Sequence, residues 1–143
     1  MAYLDASVLV ALITPEPSSL AVQRWLNAAR SDRLVVSDWS MTESASALGM
    51  KVRLREMPAS ELPEAWELLS SMVSASFEPL SPRRIDFERA IEFLAQPSLG
   101  LRAGDALHLA VAVGAEAGPV VTLDKIMLRA ARRLGIEAVD PNG

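Results

Sequence analysis

Gly104-Asp105-Ala106-Leu107-His108-Leu109-Ala110-Val111-Ala112-Val113-Gly114-Ala115-Glu116-Ala117-Gly118-Pro119-Val120-Val121-Thr122-Leu123-Asp124 joins two different patterns in one run of sequence. From Gly104 to Ala115 only Asp105 and His108 are neither apolar nor glycine. A helix over Gly104–Ala117 with that pattern has no wet face and belongs at the centre of a domain. Gly118-Pro119 interrupts it, and Val120–Leu123 follows as a short aliphatic run ended by an acid, the pattern of a buried strand.

The same alternation extends in both directions. Ala2–Leu4, Leu34–Ser37 and Ile136–Val139 are brief, apolar and bounded by charges, Gly or Pro; Phe77–Leu80 is weaker because Pro79 interrupts it. Helical patterns cover Ser18–Arg30, Asp38–Glu56 with Asp38 as N-cap, Glu61–Ser74, Arg83–Gln96 and Lys125–Leu134, the last ended by Gly135. Strands alternating with helices predict a mostly parallel sheet covered on both faces, an α/β fold. No linker or repeat divides the chain, and Pro15-Glu16-Pro17 reads as a turn, so residues 1–143 read as one domain.

Composition narrows the chemistry. With half the residues apolar and 22% charged, disorder is excluded, and no uncharged apolar stretch is long enough to span a bilayer. Met1–Asp5 lacks a basic leader, so a cytoplasmic protein is expected. There is no Cys and a single His, His108, which excludes a thiolate zinc site and a histidine pair for metal-free RNA cleavage. A metal site in this chain must use oxygen ligands, which favours Mg²⁺ or Mn²⁺. The formal net charge of −4 rules out whole-surface attraction to phosphate, so nucleic acid would have to be held by local basic patches and a bound ion.

Four acids stand out. Parallel sheets bind ligands beyond the carboxyl ends of their strands, and Asp5 and Asp124 lie just past two of them. Each also suits the N-cap of the helix that follows, and capping does not exclude metal binding. Glu43 heads the stripe Ala47, Met50, Leu54, while Met41, Ala45, Leu48 and Val52 run down the other side; a helix apolar on two faces is expected to be buried on both. The alternative is an exposed acid favoured by the helix dipole. Asp105 sits in the first turn of the most apolar helix, where a buried carboxylate needs compensation. His108, one turn on, more often hydrogen-bonds a neighbour than binds metal. Carboxylates gathered at one end of a small fold repel one another, and one or two divalent ions would relieve that repulsion.

Tyr3-Leu4-Asp5-Ala6-Ser7-Val8-Leu9-Val10-Ala11-Leu12, the mid-helix Glu43 after Ser37, Gly104-Asp105-Ala106-Leu107-His108-Leu109-Ala110 and Val121-Thr122-Leu123-Asp124 together resemble a PIN domain, across nearly the whole chain and in the expected order. The size is similar to that of the VapC type, the toxin ribonucleases of toxin–antitoxin pairs. This resemblance implies a three-layer α/β/α sandwich. It implies Mg²⁺ or Mn²⁺ at Asp5, Glu43 and Asp105, with Asp124 at a fourth, more variable acid position. Ser7 and Thr122 match supporting positions within the site. The family commonly forms homodimers, and VapC-type members are silenced by a small antitoxin. After the fourth acid the family often has an aromatic residue where this chain reads Lys125-Ile126-Met127, which leaves direct ligation by Asp124 and a role through water both open.

The resulting expectation is a metal-dependent endoribonuclease. Arg102 and Arg129 are candidates to hold RNA phosphates, with Lys125, Arg132 and Arg133 nearby. Leu62, Trp66, Leu69 and Val73, with Met50 and Leu54, form either core or a groove for an antitoxin or second subunit. Other strand–Asp folds fit poorly: a haloacid dehalogenase needs a second Asp where Ser7 stands, and a receiver module needs an acid pair where Ala6 follows Asp5. A DNA nuclease with the same acids, and a silent interaction module of the same fold, remain as alternatives.

Overall fold

A computed structural model describes residues 1–30 and 32–143 of the chain. Strands β1 (Ala2–Leu4), β2 (Leu34–Ser37), β3 (Glu78–Leu80), β4 (Val120–Val121) and β5 (Ala138–Val139) form one sheet in the order β3-β2-β1-β4-β5. Every pairing is parallel. Among the described residues seven α-helices flank it: α1 (Ala6–Ile13), α2 (Ser19–Ala28), α3 (Asp38–Arg53), α4 (Leu62–Ser76), α5 (Arg84–Leu94), α6 (Ala103–Gly114) and α7 (Lys125–Arg133). This is the three-layer α/β/α sandwich, with a sheet parallel throughout.

Side chains alternate across the strands, so each strand feeds two cores. Tyr3, Val35 and Val120 face one side and pack with Leu107, Leu109 and Val111 of α6 and with Met127 and Ala131 of α7. Ala2, Leu4, Leu34, Val36 and Val121 face the other, against Val8 and Leu9 of α1, Val22 of α2 and Leu69 of α4. Pro79 stands on the edge strand, opposite Val36, where a missing N–H is tolerated.

Several boundaries differ from the sequence expectation. β4 stops at Val121 rather than Leu123, because the Leu123 amide turns to the Ser7 hydroxyl and the Asp124 amide to the Thr122 hydroxyl; β5 begins at Ala138, not Ile136. Helix α1 was absent from the expected helices: its run of apolar residues is too short and too uniform to show a helical period. The N-cap of α3 is Ser37, whose hydroxyl accepts from the Ser40 amide, so Asp38 enters the first turn instead and accepts from Ser81. The expectation that α3 is buried on both faces is also corrected. Leu48 is fully buried, but Met50 is 49% and Leu54 61% exposed, leaving the Glu43 stripe as an open groove wall.

Because α6 fills the middle of one core, Leu109→Ala should cost about 2–5 kcal/mol in urea denaturation. Ile91→Ala, at a position of α5 that is 66% exposed, should change stability by less than about 0.5 kcal/mol.

Candidate active site

In this sheet the chain runs outward in opposite directions from the seam between β1 and β4, the position where open parallel sheets form a crevice at their carboxyl ends. Asp5 stands at that seam and is only 3% exposed. It caps α1: Oδ1 accepts from the Val8 amide at 3.2 Å and from the Ser7 hydroxyl at 2.6 Å. Oδ2 accepts from the Thr122 hydroxyl at 2.5 Å across the seam. The same two hydroxyls accept in turn from the strand-end loop, Ser7 from the Leu123 amide and Thr122 from the Asp124 amide, both at 3.0 Å. Burial pushes the Asp5 carboxyl above the usual aspartate range, opposed by His108 and by these three donors.

Glu43 projects from the second turn of α3, with its side chain 32% exposed. Its Oε2 lies 2.7 Å from Nε2 of His108. Its Oε1 lies over the Cα of Gly104, where any Cβ would collide with it. The Trp39 indole donates to the Gly104 carbonyl at 3.1 Å and packs beside the imidazole. His108 is therefore a bonded core histidine, as its surroundings in the sequence suggested. The sequence reading missed Gly104 as the residue that makes room for Glu43, and Tyr3 as the other partner of His108; the polar Tyr3 inside an apolar strand was the available signal.

Asp105, half-buried in the first turn of α6, accepts from the Arg102 amide at 3.2 Å. Burial raises its carboxyl above the ordinary aspartate value; the Arg102 amide pulls it back, and the charges of Asp124 and Glu43 push it up again. Asp124 caps α7, its Oδ1 accepting from the amides of Ile126 at 2.8 Å and Met127 at 3.1 Å. Asp105 therefore lies close enough to Asp124 and Glu43 to feel the charge of both. Among the described residues no lysine or arginine forms an ion pair with any of the four.

Among the described residues no group of three or more acidic or histidine side chains is placed so as to hold a metal ion together. A hard divalent ion does not require one: Mg²⁺ is held by one or two carboxylates, with waters and substrate phosphate completing its shell. All-oxygen donors and uncompensated carboxylates fit such an ion and suit zinc or copper poorly.

The basic residues divide. Arg129 and Arg132 are exposed and, with Lys125, line a groove of about 510 Å³ between α7 and β5; Lys125 also pairs with Asp140. Arg102 is exposed at the start of α6. Arg133 is turned away and donates to the carbonyl and hydroxyl of Ser98.

The sequence profile of the PIN domain family matches residues 2–133. The chain belongs to the PIN domain family. No curated protein sequence matches this PIN domain. Solved structures do. A chain of VapBC2 from Rickettsia felis, bound to a DNA fragment from its promoter, is 14% identical with a TM-score of 0.72, covering 98% of both chains. VapC20 from Mycobacterium tuberculosis, described as a sarcin–ricin loop cleaving toxin, is 16% identical with a TM-score of 0.70, covering 91% of this chain and 95% of its own. PAE2754 from Pyrobaculum aerophilum is 22% identical with a TM-score of 0.68, covering 99% of this PIN domain and 89% of that chain. At these identities the likeness is one of fold.

The raised Asp105 carboxyl makes a signed prediction. Folded Asp105 holds its proton to higher pH than it would unfolded, so ionising it costs stability as pH rises past the ordinary aspartate range. In EDTA, Asp105→Asn should melt within a degree or so of wild type near pH ~4 and a few degrees above it at pH ~7. Thermal unfolding across that range checks it, and a gap that shrinks toward neutrality would refute it.

Proposed function

We propose that this PIN domain is a divalent-metal-dependent endoribonuclease, the toxin of a type II toxin–antitoxin pair, acting in the cytoplasm as one domain. The observation that carries the reading is the set of four carboxylates that, among the described residues, have no lysine or arginine partner, set at the ends of strands and helices around the β1–β4 seam in a chain of this family. Asp5, Glu43, Asp105 and Asp124 would hold the ion. Bound there, Mg²⁺ or Mn²⁺ supplies the positive charge that makes water a nucleophile at neutral pH and polarises the phosphodiester.

The rest is done by the chain. Ser7 and Thr122 fix Asp5 through both of its oxygens and tie it to the loop bearing Asp124, so these two acids keep a constant relation. The Arg102 amide and the positive end of α6 favour ionised Asp105 despite its burial. Arg102, just before Asp105, and the groove of Lys125, Arg129 and Arg132, just after Asp124, flank these two acids in sequence and offer cations to an RNA backbone that the net charge of −4 would otherwise repel.

Solved VapBC and FitAB assemblies among the structural neighbours support an antitoxin partner. The groove lined by Ala6, Val10, Ala47, Met50 and Leu54 leads to Glu43 and suits an apolar segment ending at the acids. Homodimerisation, common in the family, would cover exposed Ile85, Phe87 and Ile91 of α5.

The test is incubation with structured RNAs and matched single-stranded DNA in Mn²⁺, Mg²⁺ or EDTA. RNA cleavage should require the metal and fall at least about 100-fold in Asp5→Asn and Asp105→Asn. Cutting of DNA alone would move the reading to a DNA nuclease. A melting temperature indifferent to Mn²⁺, with no cleavage, would leave an interaction module.

A further inference from the structure

The acids account for four side chains of the crevice, yet the largest fully buried side chains with polar atoms beside it are Tyr3 and His108. The Tyr3 hydroxyl lies 2.7 Å from Nδ1 of His108, 2.7 Å from the Ser37 hydroxyl and 3.2 Å from that of Ser40. Ser37 accepts from the Ser40 amide at 3.1 Å, and the Ser40 hydroxyl reaches the Leu4 carbonyl at 2.9 Å. His108 ends the chain of contacts at Glu43.

Counting protons orients it. A carboxylate only accepts, so Nε2 of His108 carries the hydrogen that faces Glu43. In the neutral ring Nδ1 then accepts, and Tyr3 is the donor there. The Tyr3 oxygen is left to accept from Ser37. Each polar group in the line has a partner, and among the described residues no buried side-chain polar atom lacks one. The imidazole cannot swing, because Tyr3 meets it edge-on at 5.7 Å and Trp39 lies at 6.4 Å on a tilted plane.

Glu43 itself has little else to hold it. It is a flexible side chain, a third exposed, and its Oε2 contact to His108 is the one hydrogen bond found for its carboxylate among the described residues. Gly104 receives Oε1 only by offering no Cβ. From this geometry we infer that Tyr3 and His108 are positioning residues: a rigid line from β1 through α6 that aims the Glu43 carboxylate at the ion. The inference rests on Glu43 being a metal ligand, as proposed above. Histidines and carboxylates that brace metal ligands from behind typically govern affinity by about 10–100-fold.

Mn²⁺ affinity, measured by titration with electron paramagnetic resonance detection of free Mn²⁺, separates the possibilities. Glu43→Gln sets the loss due to the ligand. Tyr3→Phe keeps the ring and removes the hydroxyl, and His108→Leu removes the donor; each should weaken Mn²⁺ binding about tenfold. His108→Gln, which can place an amide N–H near the Nε2 position, should recover most of it. On the Glu43→Gln background Tyr3→Phe should have no further effect, since the line would then have nothing to aim. Should His108→Leu fail to fold, Tyr3→Phe and His108→Gln still decide. Wild-type affinity in Tyr3→Phe, or equal losses on both backgrounds, overturns the positioning role and leaves a packing role. Unchanged affinity in Glu43→Gln overturns the metal reading of Glu43, and the inference with it.

Discussion

A carboxylate kept almost wholly out of water has to be met by donors, since an ion transferred to the interior costs several kcal/mol when unpaired. Asp5 is in that position, and its donors come from two places: the first turn of α1, through the Ser7 hydroxyl and the Val8 amide, and Thr122 just past β4. The first turn of α1 supplies its donors locally, but Thr122 is available only if β1 and β4 are neighbours in parallel register, with Leu4 level with Val121 so that Asp5 meets Thr122. The requirement propagates. Thr122 and Ser7 spend their acceptor capacity on the amides of Asp124 and Leu123, and Asp124 in turn caps α7. One buried group thereby orders both strand ends, the helices that leave them and the spacing of two acids.

The electrostatics follow the same plan. The acids collect where helix α6 begins, and the opposite end of that helix receives cations: Arg83 donates to the Gly114 carbonyl and Arg89 to that of Ala110, with buried Asp86 between them. Negative charge thus lies at the amide end of α6 and positive charge at its carbonyl end, the arrangement its dipole favours. The α7 cations sit on the opposite side of the seam, separated from the acids by a helix cap instead of neutralising them. A chain with an overall negative balance can therefore present both an acidic crevice and a basic flank.

How much of this was legible depends on where each determinant lies. β1 and β2 were read to the residue because burial on both faces makes them plain apolar runs. β4 was overextended, since Thr122 and Leu123 are as apolar or β-branched as a strand requires, and only the Ser7 and Thr122 hydroxyls, by accepting the next two amides, end the ladder. The α3 stripe was misjudged for a different reason: periodicity shows that a face exists, not whether anything covers it, and Met50 and Leu54 are uncovered. The placements of Asp5, Asp105 and Asp124 were legible because strand ends and first turns are local features. Tyr3, Ser37, Ser40 and His108 were not, because residues so far apart in the chain become partners only through the order of the strands.

The division of β1 between two cores carries a further implication. Ala2 and Leu4 serve one face, Tyr3 the other, and Asp5 follows at once. A slip of one residue would reverse every side chain, exposing apolar surface on both sides while pulling Asp5 off its donors. The chain therefore has no well-packed version of this sheet in which the acid is misplaced. Cellular quality control, which recognises exposed apolar surface and knows nothing of chemistry, would remove such copies as misfolded. In this architecture the surveillance of folding doubles as surveillance of the crevice.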